Sequence, residues 1–276
     1  MQISVSSYSF KMKNTPVERL RLAKELGFAA IEFTEVDMET AQRLREESER
    51  LDFPIVCYTV GADFLRAESV EAEAQRLYSQ VDIARTLGAH LMRHDASRGF
   101  QPFRAAHASF AEALPLLAQG CRQVTEYAAE KSVITMVENH GYFCQDSERV
   151  AALVGAVSHP NFGALADIGN FLCADEDPAL ATGNIAALAL HVHAKDFHVK
   201  PGSGDDPGKG WFRSRGGNYL RGSIIGHGNV PVRQCLGNLK RAGYNGYVSI
   251  EFEGMEDCVE ALRIGRENLE RFIPSA

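Results

Sequence analysis

The stretch VITMVENHGYFCQDSERVAALVGAVSHPNFGALADIGNFLCADEDPALATGNIAALALHVHA, residues 133–194, alternates short apolar runs with longer amphipathic segments. The apolar runs predict strands over 133–138, 162–167 and 188–194, and the segments between them predict helices over 146–157 and 178–187. Near-continuous apolar strands joined by helical crossovers are typical of a parallel sheet that is covered on both faces. The stretch therefore indicates an α/β fold.

The same alternation continues on both sides of this stretch. Thr15 and Pro16 mark the start of a helix that ends at Gly27, because Thr is a good N-cap and Pro suits the first helical position. The other strands are predicted at 3–8, 29–33, 54–60, 90–94 and 247–251, and the other helices at 39–51, 69–87, 103–131, 231–242 and 256–272. Eight strands alternating with eight helices favour a single-domain (β/α)8 TIM barrel over residues 1–276.

Composition and charge exclude several classes of protein. A formal net charge of −7 argues against a nucleic-acid partner. The chain lacks a secretory signal and a long apolar run, which predicts a cytoplasmic protein with no membrane partner. Its six cysteines form no C-x-x-C pair, so buried reduced thiols are expected rather than disulfides or a zinc knuckle. No dinucleotide-binding or P-loop glycine motif follows a predicted strand.

One connection, residues 196–230, is much longer than the others. Irregular loops of that length are uncommon in compact domains and are usually functional. Glycine and proline predict a mobile segment, while Trp211, Phe212 and Tyr219 give it apolar surface. We interpret this segment as a cover over the active site, with a disordered insertion as the alternative.

Four consecutive strands end on a possible metal ligand: Glu138, Asp167, His193 and Glu251. Each one alone is more often a helix cap, a solvated loop residue or a core histidine. Active sites of these barrels lie at the C-terminal ends of the strands, where side chains from adjacent strands converge. Three carboxylates and one imidazole would repel one another there without a cation. The set predicts one divalent metal, Mn²⁺ first, with Mg²⁺, Co²⁺ or Zn²⁺ as alternatives.

The chain resembles the xylose-isomerase-like barrels, which include sugar isomerases and epimerases, inosose dehydratases and a DNA-repair endonuclease. The resemblance rests on His193-Ala194-Lys195-Asp196, on the two strand ends Glu138 and Glu251, and on Gly226-His227-Gly228. It implies that the four strand-end residues hold one metal. It also implies that Glu138 and Glu251 exchange protons with the carbon next to a ketone.

Other polar residues are candidates for binding the hydroxyl groups of a substrate. They are His94, His140, Lys195, His198, Trp211, Arg213 and His227. Lys195 could instead pair with Asp196 as a structural ion pair, and the charges of the long segment could be solvated. Trp211 is a candidate for stacking on a sugar ring.

The predicted function is a divalent-metal-dependent sugar isomerase or epimerase that works through a metal-stabilised enediolate. The substrate would be a small sugar or cyclitol, and a homo-oligomer is possible. The alternative is a lyase of the same fold, either an inosose dehydratase or an enzyme that cleaves a 3-keto-glycoside by β-elimination. Asn170 stands where the endonuclease branch has a histidine, which disfavours that branch. A metal-free sugar-binding barrel is the remote alternative.

Overall fold

The computed structural model of the protein describes residues 1–11, 15–99 and 109–275. Within these residues the strands are β1 (Gln2–Ser6), β2 (Ala30–Thr34), β3 (Ile55–Val60), β4 (Leu91–His94), β5 (Ile134–Glu138), β6 (Phe162–Asp167), β7 (Ala189–Ala194), β8 (Asp196–Lys200), β9 (Phe212–Arg213), β10 (Tyr219–Ser223) and β11 (Tyr247–Ile250). Strands β1 to β7 are parallel neighbours in chain order, and β11 closes the ring between β7 and β1. The predicted barrel is confirmed.

The helices cover the outside of the barrel, one after almost every barrel strand. They are α1 (Pro16–Glu25), α2 (Met38–Leu51), α3 (Val70–Leu87), α4 (Phe110–Glu130), α5 (Ser147–Val157), α6 (Pro178–Ile185), α7 (Val232–Arg241) and α8 (Cys258–Ser275). The predicted helix at 103–131 is found from Phe110 onward, and its first part falls in 100–108, outside the described residues. No helix of the described chain has both the length and the apolar composition to span a bilayer.

Side-chain caps define where most helices begin. A side-chain oxygen accepts a hydrogen bond from the backbone N–H three residues later at Thr15, Asp37, Ser69, Ser109, Asp146 and Asp177. At Thr15 and Ser109 the glutamate three residues later bonds back to the capping residue, which satisfies two free N–H groups at once. The cap at Thr15, followed by Pro16, explains why the sequence predicted the start of α1 well.

The barrel interior combines an apolar layer with a polar one. Cys57, Met136 and Leu165 form a small apolar cluster. Glu32, His191 and Ser249 are also buried, and His191 Nε2 contacts both Glu32 Oε2 and Ser249 Oγ. Because polar groups inside a protein require partners, this layer fixes the orientation of the side chains above it. All six cysteines are buried and free.

The long connection contains regular structure, so its prediction as an irregular segment is wrong. Strands β8, β10 and β9 form a three-stranded antiparallel sheet in that order. Phe197 and Leu220 of this sheet pack with Cys173 in an apolar cluster, to which Phe212 adds its edge. Alternating apolar residues in short strands, separated by glycine-rich turns, produced too weak a sequence signal to reveal the pairing.

Asp196 holds the end of this segment, residues 226–230, in place by accepting hydrogen bonds from its backbone. Its Oδ1 accepts hydrogen bonds from the N–H groups of Phe197 and Val230, and its Oδ2 accepts from Gly226 and Gly228. The side chain is 1% exposed. The Gly226-His227-Gly228 turn is therefore wrapped around one buried carboxylate, which supplies acceptors that no neighbouring strand provides.

Replacing Asp196 by Asn should lower the free energy of unfolding by about 1–3 kcal/mol, because an amide N–H₂ would then face backbone N–H groups. Urea denaturation followed by circular dichroism measures the change. Asp206→Asn is the control, since Asp206 is exposed and accepts only from Gly208 among the described residues; its effect should stay within about 0.5 kcal/mol. Equal stability of the Asp196 variant and the wild type would contradict this account.

Candidate metal centre and active site

Four side chains meet at the C-terminal end of the barrel. Glu138, Asp167 and His193 lie on β5, β6 and β7, and Glu251 follows β11 directly. One potential ligand atom of each lies within 4.8 Å of the others. His193 Nδ1 is 3.5 Å from Glu138 Oε1, 3.8 Å from Asp167 Oδ2 and 3.5 Å from Glu251 Oε2. The convergence expected from the strand ends is therefore present.

The donor atoms of this cluster fit a divalent cation. His193 Nδ1 and Asp167 Oδ2 are buried and have no hydrogen-bond partner among the described residues. Buried polar atoms without a hydrogen bond are costly; Asp167 Oδ2 has the ammonium of Lys195 3.2 Å away, whereas His193 Nδ1 faces carboxylate oxygens. Burial would lower the pKa of His193, but Glu32 and Glu251 raise it well above its ordinary value. The surrounding carboxylates thus favour positive charge at this point.

A buried carboxylate lies behind the histidine. Glu32 Oε1 is 2.8 Å from His193 Nε2, and Glu32 Oε2 is 2.8 Å from His191 Nε2. Histidines that bind metals commonly direct their second ring nitrogen at a carboxylate, which fixes the tautomer and the ring orientation. A proton on Nε2 of His193 would leave the Nδ1 lone pair directed at Glu138, Asp167 and Glu251.

The two glutamates have different cationic partners. Arg93 Nη2 lies 2.5 Å from Glu138 Oε2 and 2.7 Å from Asp95 Oδ1. Asn170 Nδ2 donates to Glu138 Oε1 at 3.0 Å. Burial alone would raise the pKa of Glu138, but Arg93 and the ring of His193 hold it well below its usual range. Glu138 is therefore kept ionised by a guanidinium that does not itself lose a proton.

Lys195 is the corresponding partner of Glu251. Its Nζ lies 2.5 Å from Glu251 Oε2, 3.2 Å from Asp167 Oδ2 and 3.4 Å from Glu253 Oε1. Burial would lower the pKa of Lys195, but Asp167 and Glu251 raise it well above its usual value. The alternative in which Lys195 pairs with Asp196 does not apply, because Asp196 binds four backbone N–H groups instead.

A cavity of about 400 Å³ opens above this cluster. Its inner wall includes Glu138, His193, Lys195 and Glu251, and its outer wall is formed by residues from the loops after β1, β2, β3 and β4 and from the segment after β11. The volume suits a small molecule. A more open groove of about 500 Å³ beside α7 holds no group of candidate metal ligands among the described residues.

Comparison with known sequences identifies the family. Residues 20–273 match the family model described as xylose isomerase-like TIM barrel, which is nearly the whole chain. The chain belongs to this family. Its barrel, with candidate ligands at the ends of β5, β6 and β7 and after β11, is consistent with that membership.

Two named proteins are similar to this chain in sequence over most of its length. The rhizopine catabolism protein MocC of Rhizobium meliloti is 26% identical over 224 residues, 77% of this chain and 68% of that protein. The L-ribulose-5-phosphate 3-epimerase UlaE of Salmonella paratyphi A is 26% identical over 249 residues, 85% of this chain and 81% of that protein. These relationships are distant but extend over most of each chain.

Solved structures of the family share the fold at lower sequence identity. An L-ribulose 3-epimerase has a TM-score of 0.79 at 16% identity and covers 99% of this chain and 95% of its own. A xylose isomerase-like barrel protein from Mycobacterium smegmatis, solved in complex with magnesium, has a TM-score of 0.74 at 17% identity and covers 99% of this chain and 97% of its own. The probable 3-DHS dehydratase AsbF from Bacillus anthracis has a TM-score of 0.74 at 18% identity and covers 98% of this chain and 99% of its own. Such likeness establishes the fold alone.

In this xylose isomerase-like barrel, only two of the seven residues predicted to bind substrate line the cavity, His140 and Lys195. His94 is fully buried, with its ring 6.1 Å from the rings of both Phe64 and Phe162. The prediction relied on its position at a strand end. The strand there directs the preceding residue, Arg93, at the cavity instead.

The four predicted residues of the long connection lie outside the cavity lining. The ring of Trp211 has Lys200 Nζ 5.2 Å from its centroid on the same small sheet, and Arg213 lies over the ring of Tyr219. His198 pairs in register with Arg221, and His227 is exposed at a turn. Because the segment folds into its own sheet, the side chains of Trp211 and Arg213 find partners within it.

Several residues of the site were missed by the sequence analysis. Glu32 and Arg93 lie inside short apolar strands, and Glu35, Arg98 and Glu253 lie in loops at the cavity. A charged residue within an otherwise apolar strand was a usable signal for the first two, since burying a charge requires a partner. The loop residues carried no distinguishing signal.

Proposed function

We propose that this protein is a divalent-metal-dependent enzyme that isomerises or epimerises a small sugar by moving a proton next to a carbonyl group. The observation that carries the proposal is the buried convergence of three carboxylates and His193 Nδ1 within 4.8 Å, at the base of a sugar-sized cavity. The metal would be held by Glu138, Asp167, His193 and Glu251. When bound, it supplies Lewis-acid stabilisation of the negative oxygen that develops on proton removal.

The two glutamates are suited to exchange the proton. Glu138 and Glu251 lie at opposite ends of the arc β5–β6–β7–β11, with Asp167 and His193 between them. Carboxylates on either side of a bound carbon can remove a proton from one face and return it to the other. Arg93 and Lys195 orient one glutamate each and keep it charged before substrate binds.

The named relatives agree with this chemistry at the level of reaction class. UlaE is named as a 3-epimerase of a ketose phosphate, and one solved neighbour is named as a ketose 3-epimerase. Mn²⁺ is the first candidate for the metal, and the magnesium complex of another neighbour keeps Mg²⁺ in consideration. Co²⁺ and Zn²⁺ suit the same mixed oxygen and nitrogen ligands.

A lyase of the same fold is the second candidate, and one contact favours it. His140 Nδ1 lies 2.8 Å from Asp95 Oδ1, and the Asp95 carboxylate also forms ion pairs with Arg93 and Arg98. This contact leaves the second ring nitrogen of His140, a cavity residue, available as an acid for a departing hydroxyl. β-Elimination from an inosose or a 3-keto-glycoside would use the same proton removal. The neighbour named as a dehydratase is compatible with it.

The proposal is tested by metal analysis and substrate screening of the wild type. We expect about one divalent ion per chain by mass spectrometry, and ketose interconversion in deuterated water with deuterium entering the carbon next to the carbonyl. Dehydrated or cleaved products from inososes or 3-keto-glycosides would favour the lyase. A folded protein that binds no metal even in excess Mn²⁺ would overturn the mechanism and favour a metal-free sugar-binding barrel.

Replacing Glu32 by Gln should weaken metal binding about 10–100-fold, because the amide holds the His193 ring in place less well. Titration calorimetry with Mn²⁺, or the visible spectrum of the Co²⁺ form, measures this without any substrate. Glu39→Gln is the matched control, since Glu39 is an exposed residue of α2. An unchanged metal affinity in the Glu32 variant would show that His193 does not depend on this carboxylate.

A further inference from the structure

In the outer wall of the cavity, the guanidinium of Arg98 and the carboxylate of Glu35 both lie beside the backbone of Gly61. A Cβ built on Gly61 would lie 1.6 Å from Arg98 Nη2, so the guanidinium occupies the space that a larger residue would fill, and 3.4 Å from Glu35 Oε1, which is ordinary contact. Glu35 Oε1 accepts a hydrogen bond from the Gly61 N–H at 2.8 Å. Arg98 Nε contacts Asp95 Oδ2 at 3.0 Å. A donor held by Asp95 and an acceptor held by the Gly61 N–H therefore both lie at Gly61.

The cations at the cavity are already matched by carboxylates. Arg93 faces Asp95 and Glu138, and Lys195 faces Asp167, Glu251 and Glu253. Arg98, the remaining cation of the lining among the described residues, shares Asp95 with Arg93, and its guanidinium and the Glu35 carboxylate both lie near Gly61.

The charges of the cavity therefore leave no positive surplus. Five carboxylates line it, those of Glu35, Asp95, Glu138, Glu251 and Glu253, and Asp167 lies among the ligands below. Even a divalent ion in the cluster would leave the described side chains of the site without spare positive charge. Within the described lining, a phosphate dianion at the mouth would approach carboxylates and would meet only cations that already share a carboxylate.

We infer that the substrate is an uncharged polyhydroxylated carbonyl compound, and that its end remote from the metal cluster is bound by Arg98 and Glu35. This inference rests on the proposed function. A hydroxyl group can accept from the guanidinium and donate to the carboxylate at the same time, whereas a phosphate can only accept. Glu35 therefore satisfies a sugar hydroxyl and repels a phosphate ester, in contrast to the substrate in the name of UlaE.

The test compares kcat/KM for free ketoses and for their terminal phosphate esters. We expect the wild type to prefer the free sugars by about a hundredfold or more, since like charges brought together in a binding site are strongly unfavourable. Glu35→Gln keeps an oxygen for Gly61 but removes the charge, so it should reduce this preference at least about tenfold. Arg98→Met should lower kcat/KM for the free sugar about tenfold.

Controls and outcomes separate this inference from the proposed function. Glu39→Gln removes an exposed charge outside the cavity lining and should leave the preference unchanged. Faster turnover of phosphate esters, or equal turnover of both series, would overturn the uncharged substrate while the enzyme class stands. An unaltered preference in Glu35→Gln would overturn the role of Glu35. Turnover of neither series, with metal bound, would overturn the proposed function and this inference with it.

Discussion

Replacing Glu251 by Gln is expected to reduce kcat at least about a thousandfold while the barrel remains folded. The change removes a proton acceptor and a metal ligand at once, and general acid–base groups alone contribute about 10²–10⁴-fold. It also leaves Lys195 without the partner that lies 2.5 Å away. Glu138→Gln should reduce kcat by a similar factor, because Glu138 has the same two proposed roles at the opposite end of the arc β5–β6–β7–β11.

The measurement pairs steady-state kinetics with metal content and circular dichroism. Glu256→Gln is the control, because Glu256 lies on the same connection, 37% exposed, with its nearest cation, Arg221, 3.7 Å away. Its kcat should remain within about twofold of the wild type, in line with the small effects of surface substitutions. A Glu251 variant that keeps both wild-type turnover and wild-type metal content would exclude Glu251 from the chemistry.

Replacing Arg93 by Met is expected to lower the free energy of unfolding by about 3–5 kcal/mol. The guanidinium is the shared partner of Asp95 and Glu138, and its side chain is only 9% exposed. Removing one member of a buried ion pair leaves the other charges desolvated without compensation, which is more costly than losing the contact itself. Urea denaturation of the metal-free protein measures the effect most directly.

Two further variants identify the cause of this destabilisation. Arg43→Met breaks an exposed pair with Glu39 on α2 and should cost no more than about 0.5 kcal/mol. The double variant Arg93→Met with Glu138→Gln should recover part of the lost free energy of unfolding, because one of the two buried carboxylates left without a partner is then absent. A single variant within about 1 kcal/mol of the wild type, with no recovery in the double variant, would contradict the buried-charge account.

Much of the fold follows from local signals in the sequence. Apolar runs, the helix start at Thr15 and Pro16, and the order of the segments were sufficient to predict a closed barrel. Strand pairing in chain order then brings the C-terminal ends of β5, β6 and β7 together, with Glu251 beside them. For that reason the four candidate metal ligands follow from the sequence alone.

The partners of those ligands could not be selected in the same way. Glu32 on β2 reaches His193 on β7 across the barrel interior, with β1 and β11 between them. Arg93 is at the cavity and its neighbour His94 in the core, a choice that depends on how β4 is rotated in the ring. Such contacts depend on the stagger of strands and on the inward or outward direction of each side chain, which short sequence patterns do not specify.

The sequence by itself thus determined the eight-fold alternation, the barrel and the four residues at its strand ends, because these depend on local periodicity and chain order. Tertiary structure alone decided that residues 196–230 contain a three-stranded sheet and a turn around Asp196, and that Arg98 and Glu35 both lie beside Gly61 at the cavity. Those arrangements join residues far apart in the chain, and their free energy comes from burial and pairing that exist only once the barrel has closed.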